Sequence, residues 1–295
     1  MRWRGRRQSS NIEDRRGAGM GGIGRRMGGR RTGGLGIGMI VIVFIGSLIF
    51  GFNPMTVLNM LNGGGLNVGG GTTVQTSAPT PESDELTQFV SVVLADTEDV
   101  WNGVFREAGE RYREPRLVLF SSATQSACGF AQSASGPFYC PGDEKVYIDL
   151  AFYKQLKTRF QAPGDFAQAY VVAHEVGHHV QNLMGILPKF NEIRRRVSKE
   201  EANRLSVRIE LQADCFAGIW AHYTAKQGLL DRGDLREALN AAAQIGDDTI
   251  QRRTQGYVVP ESFSHGSAEQ RQRWFRIGLE QGSVNSCDTL NASRV

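Results

Sequence analysis

Histidine is scarce in this chain, with five in 295 residues. Three of the five crowd into one stretch, HEVGHH, as His174, His178 and His179. There are only four cysteines, Cys128, Cys140, Cys215 and Cys287, and none stands at CxxC spacing. That absence removes support for a thiol nucleophile or a cysteine-held metal site. Charge is missing altogether from residues 32 to 81. A basic excess is missing too once the start is set aside. Ten arginines and only two acids fall in residues 1–34, so the remainder is mildly acidic although the whole chain carries +4. The folded part therefore makes no general case for nucleic-acid binding, and no nucleic acid is expected as a partner.

What is present divides the chain into four parts. Residues 1–34 are rich in arginine and glycine and have almost no core-forming side chains, which reads as a disordered, positively charged tail. Residues 35–52, LGIGMIVIVFIGSLIFGF, carry no charge. Their length approaches the roughly 20 apolar residues that span a bilayer as a helix. A cleaved signal peptide would end in a small-residue cleavage site, whereas Phe50, Gly51, Phe52, Asn53 and Pro54 stand here, so the segment reads as an uncleaved anchor. The arginines before it keep the N-terminus cytoplasmic and send the C-terminal part outside. Residues 53–82 are a flexible Gly/Ser/Thr/Pro linker. A compact domain occupies residues 83–295.

That domain reads as α+β and predominantly helical, with a small sheet. Leu86, Phe89, Val90, Val93, Leu94, Val100, Trp101, Val104 and Phe105 recur at helical spacing. RLVLFS (116–121) and KVYIDL (145–150) read as strands, with a loop or irregular hairpin between them. From Phe166 onward the pattern is helical. Gly185 and Pro188 are expected to end the helix that carries HEVGHH. Ser198 with Glu201, and Ser267 with Gln270, have capping-box spacing and mark two further helix starts. Four cysteines in an exported domain suggest two disulfides. Three pairings are possible, and Cys128–Cys140 with Cys215–Cys287 is the favoured one.

The histidine cluster carries the chemistry. His174 and His178 are four apart and share one helix face, so their nitrogens can converge on one ion. Glu175 is placed to reach a water on that ion, the HExxH pattern of zinc peptidases. The flanking Tyr170, Val171, Val172, Val176 and Val180 make the helix apolar nearly all round, and buried polar groups there need partners. Downstream, RIELQADCFAGIWAHY repeats the spacing with Glu210 and Asp214. One reading pairs these carboxylates with Arg204 or Arg208. The other makes Glu210 the third ligand and Asp214 the acceptor that orients a liganding histidine.

HExxH followed by ExxxD is similar to the gluzincin class of zinc peptidases. The segments AYVVAHEVGHHVQNLMGI, RIELQADCFAGIWA, GPFYCPGDEKVYIDLAFY and SFSHGSAEQRQRWF together resemble the bacterial neutral zinc metallopeptidase family across essentially the whole chain. The resemblance implies a zincin-like peptidase domain, one catalytic Zn²⁺ and a peptide or protein substrate. It also implies a single-pass anchor in the bacterial inner membrane with the domain outside. His265 and Arg271 resemble the His and Arg that come after ExxxD in prenyl-type and heat-shock zinc peptidases. That likeness assigns His265 to the oxyanion, with Arg271 supporting the oxyanion or the substrate. His179 and His222 read as structural. The alternative function is an inactive, membrane-tethered zinc-binding scaffold, which would close the metal site with a fourth side chain such as Asp214 or His179.

Overall fold

Alternation along two short strands sets the frame of the domain. In the computed structural model, which describes residues 1–16, 81–133 and 136–295, β2 (Arg116–Phe120) and β6 (Lys145–Asp149) pair in parallel. Leu117, Leu119, Val146 and Ile148 point into the main core, while Val118, Phe120 and Tyr147 form a smaller cluster on the opposite face. Both strands are thus buried on both sides, as inner strands of a parallel sheet are. The sheet order is β1-β2-β6-β5, where β1 is Ile12–Asp14 and β5 is Phe138–Cys140. β1 is parallel to β2, and β5 is antiparallel to β6 at the edge. The expected loop between the strands contains β5 and also a hairpin, β3 (Ala123–Ser126) with β4 (Gly129–Gln132).

Helices cover the main-core face. α1 (Pro81–Glu107) buries the apolar stripe that includes Phe89, Val90, Val93, Leu94 and Trp101. A short α2 (Ala151–Thr158) comes directly after β6. α3 (Asp165–Leu183) carries HEVGHH and α5 (Lys199–Lys226) carries ExxxD. α4 (Ile186–Ile193) lies between them, α6 (Asp234–Gln244) and α7 (Asp247–Gln255) come next, and α8 (Ala268–Gln281) packs along α5. The helix carrying HEVGHH ends at Leu183, close to where it was expected to, but Pro188 takes no part in ending it. It sits in the first turn of α4, where its missing N–H has no helical acceptor to lose; Gly185, at φ 74, makes the break.

Two glycines let the site helices approach. A Cβ on Gly177, inside the HEVGHH stretch, would stand 2.9 Å from the Ala213 carbonyl oxygen, so only glycine brings α3 this close to α5. A Cβ on Gly278 of α8 would overlap the Cys215 carbonyl on α5. The disulfides are Cys128–Cys140 and Cys215–Cys287, the favoured pairing. The first ties the hairpin end to β5, and the second ties the C-terminal segment to α5.

The N-terminal residues overturn one expectation. Residues 1–16 do not form a disordered tail: they lie on the domain and supply its first strand. Trp3 is buried edge-on against Phe89, with centroids 5.4 Å apart. The arginines that suggested a free basic tail find carboxylates, Arg6 on Asp96 and Arg7 on Glu98 and Asp99. The Met1 ammonium sits 3.0 Å from Asp165 and 3.1 Å from Asp234, neutralising that acidic cluster. A single membrane crossing between residues 16 and 81 would separate β1 from β2. The expected span, 35–52, lies outside the described residues, as does nearly all of the linker. Among the described residues no helix is long and apolar enough to cross a membrane.

Candidate active site

The site forms where α3 and α5 cross. His174 and His178 project from one face of α3, and Glu210 meets them from α5. His174 Nε2 lies 3.2 Å from Glu210 Oε2, and His178 Nε2 lies 3.6 Å from Glu210 Oε1. All three ligand atoms lie within 4.8 Å of one another. Ligand atoms at zinc's usual bond lengths of about 2.0–2.2 Å in a tetrahedron are separated by about 3.3 Å, so these residues fit one such ion. The two imidazoles stand edge to face, with centroids 4.8 Å apart.

Behind His174 lies a buried charge network. Its Nδ1 is 2.8 Å from Asp214 Oδ1. The same carboxylate accepts from Tyr170 Oη at 2.5 Å and from Arg271 Nε and Nη2 at 2.8 and 2.9 Å. Burial alone would push the Asp214 carboxyl up, but Arg271 and His174 outweigh it and hold it near its charged form, at about 2. Burial likewise opposes a charged His174, yet Asp214 and Glu210 raise it from 6.5 to about 10. The raised pKa of His174 favours a proton that a divalent cation has to displace on binding. Neither Arg204 nor Arg208 meets the two carboxylates. Arg204 bonds Glu200 and Glu201, and Arg208 reaches the carbonyls of Thr289 and Ala292.

Arg271 belongs to the same buried network. Its guanidinium is only 3% exposed and is committed to Asp214, Tyr170 and the Ile245 carbonyl. It therefore fixes the group that fixes His174, and it also lines the cleft. His265 does line the cleft with Glu175. Its Nδ1 lies 3.2 Å from Asp247 Oδ1, while Asp247 Oδ2 accepts from the backbone N–H groups of Ser264, His265 and Gly266. Burial lowers the His265 pKa, but Glu210 and Asp247 outweigh it and raise it. Nothing in the sequence singles out Asp247. It looks like an ordinary N-terminal helix acid, and only the fold brings residue 265 to it.

Glu175 faces the same cleft. It is buried, and that burial raises its pKa against the pull of the two histidines. A carboxyl raised toward neutrality is suited to taking and returning a proton. His179 points away: its Nε2 donates to the Arg113 carbonyl at 2.5 Å and its Nδ1 accepts from Tyr139 Oη at 3.0 Å. His222 bonds the Leu279 carbonyl. With His179 and Asp214 both engaged, neither closes the metal position as the scaffold reading requires. The cleft has a volume of about 510 Å³, within the range of ligand sites. Its walls are largely apolar, including Phe130, Phe138, Phe152, Phe160, Leu187 and Phe190.

A family model described as "Putative neutral zinc metallopeptidase" matches residues 1–290, including the N-terminal strand. The chain is 47% identical over 297 residues to "Uncharacterized protein YpfJ" of Escherichia coli (strain K12), covering 99% of this chain and 100% of that protein. It is 43% identical over 217 residues to "Uncharacterized protein Rv2575" of Mycobacterium tuberculosis, covering 70% of this chain and 72% of that protein. No solved structure matches.

Proposed function

The chain belongs to the neutral zinc metallopeptidase family, and from that premise we propose that it hydrolyses peptide bonds in the cleft over His174, His178 and Glu210, in a zincin-like arrangement. One observation carries the reading: three converging ligand atoms lie beside a buried glutamate of raised pKa, on the floor of an apolar cleft. Zinc held there supplies a Lewis acid and lowers the pKa of its water to about 7. Glu175 accepts the proton of the attacking water and returns it to the leaving amine. His265, steadied by Asp247, donates toward the oxyanion. Asp214 and Arg271 keep His174 in one orientation.

The substrate is an extended peptide with large apolar side chains. The cleft walls support this, as does β5, whose Phe138 and Tyr139 line the cleft while only one side of the strand is paired within the sheet. An edge strand of that kind can add a peptide strand through backbone hydrogen bonds. Glu210→Ala removes one of three ligands and should abolish stoichiometric zinc on the purified full chain. Elemental analysis giving one zinc per chain in that variant would remove Glu210 from the centre.

Residues 35–52 anchor the enzyme at a membrane, and two disulfides suit an oxidising compartment outside the cytoplasm. The contacts of residues 1–16 support placing the N-terminal segment and the domain on the same side of that membrane. No free cysteine occurs among the described residues, so single cysteines can be introduced at the exposed Ser10 and Lys157. An impermeant maleimide on intact cells should label both positions equally. Labelling of Lys157→Cys alone, with Ser10→Cys reached only after permeabilisation, would restore the single crossing.

A further inference from the structure

His174 is oriented by a carboxylate. His178 has no carboxylate behind it, and its Nδ1 meets the amide of Gln181, at 2.9 Å from Oε1. A glutamine amide can turn either face to a partner, so the contact alone does not decide which ring nitrogen of His178 carries the proton. The next contacts do decide it. Gln181 Nε2 donates to the Ile209 carbonyl at 2.7 Å and to Gln212 Oε1 at 3.0 Å. Gln212 Nε2 in turn donates to the Cys287 carbonyl at 3.0 Å. Backbone carbonyls only accept, so both amides are locked in one sense. Gln181 must show its oxygen to His178, and His178 must carry its proton on Nδ1. The Nε2 lone pair is left facing Glu210 and His174.

From this geometry we infer that Gln181 and Gln212 are positioning residues for the metal centre. They form a directional relay that starts at two backbone carbonyls and fixes the tautomer and ring angle of His178. Gln181 is fully buried and Gln212 nearly so, so their amides have no water to turn toward, and a reversed amide would face a carbonyl oxygen with its own. The outer end is held covalently, because Cys287 is bonded to Cys215, three residues beyond Gln212 on α5. The relay thus links the C-terminal segment to a metal ligand, and it explains why two glutamines are buried at this helix crossing. The inference rests on the metal centre proposed above, but concerns the chain's own hydrogen bonds.

The test uses the full chain and zinc affinity, read by competition with a chromophoric chelator. Gln181→Met keeps the side-chain length and removes the amide. It should weaken zinc binding about 10–100-fold, the usual loss when a partner behind a ligand is removed. Gln212→Met leaves the Ile209 carbonyl to orient Gln181 and should weaken binding only a few-fold. In zinc-loaded wild type the His178 Nδ1–H proton should be visible by NMR and slow to exchange, and in Gln181→Met it should exchange fast. Circular dichroism shows whether each variant is folded, and Gln212→Met provides the comparison if Gln181→Met is not. Folded variants with wild-type zinc affinity and a protected Nδ1–H would overturn the relay while leaving the centre intact. Failure of the wild type itself to bind zinc would overturn both.

Discussion

Glu175→Gln should lower peptide turnover by about 10²–10⁴-fold, the range that a positioned acid–base group contributes, while the protein keeps one zinc per chain. The substitution preserves size and shape, and Glu175 is not among the converging ligand atoms. Binding of metal and peptide should therefore survive, so the loss falls on kcat rather than KM. The amide cannot accept the water's proton, and among the described residues no other carboxylate is placed to take over. Glu210 is a ligand whose pKa is driven down against burial, chiefly by His178 and His265. Asp214 is behind His174 and tied to Arg271. A variant with full activity would remove Glu175 from the chemistry. A variant that loses zinc would make its role structural.

Asp214→Ala should destabilise the zinc-free fold by about 3–5 kcal/mol, the cost of stripping one partner from a buried ion pair. Arg271 would be left charged with no carboxylate, and Tyr170 and His174 would each lose an acceptor. Against a total stability of about 5–15 kcal/mol, that is a large share. Urea unfolding without zinc isolates the effect from ligand linkage. The pH dependence has a definite sign. The folded pKa of His174 is raised from 6.5 to about 10. Its stabilising contribution is therefore fully present below pH 6.5 and is lost as pH climbs toward 10. That slope should flatten in the variant. A loss below about 1 kcal/mol would place the Asp214–Arg271 pair among ion pairs that contribute little.

The legible and the hidden parts of the site divide by range along the chain. His174, Glu175 and His178 are legible because a helix converts spacing into geometry within one turn. Glu210 and Asp214 are legible because two acids at the same spacing in an apolar helix demand partners. The role of Arg271 is not, because its partner is 57 residues away, and no local pattern separates a buried arginine from one that meets substrate. Asp247, Gln181 and Gln212 stay hidden for the same reason: short-range periodicity does not report which hydrogen bonds cross between helices. The N-terminal strand is hidden by composition. Arg6 and Arg7 look like a solvated tail until Asp96, Glu98 and Asp99 on α1 are brought beside them. A fragment beginning at residue 83 would lack β1, so functional tests call for the whole chain.

The most direct measurement of the central claim is cleavage of a peptide library by the zinc-loaded full chain, read by mass spectrometry beside Glu175→Gln and a metal-stripped sample. The account predicts new termini flanked by large apolar residues in the wild type, none in the stripped sample, and recovery when zinc is returned. Glu175→Gln should be nearly silent despite full zinc. Zinc-loaded wild type that cleaves nothing, or cleavage that persists without metal or in Glu175→Gln, would contradict it.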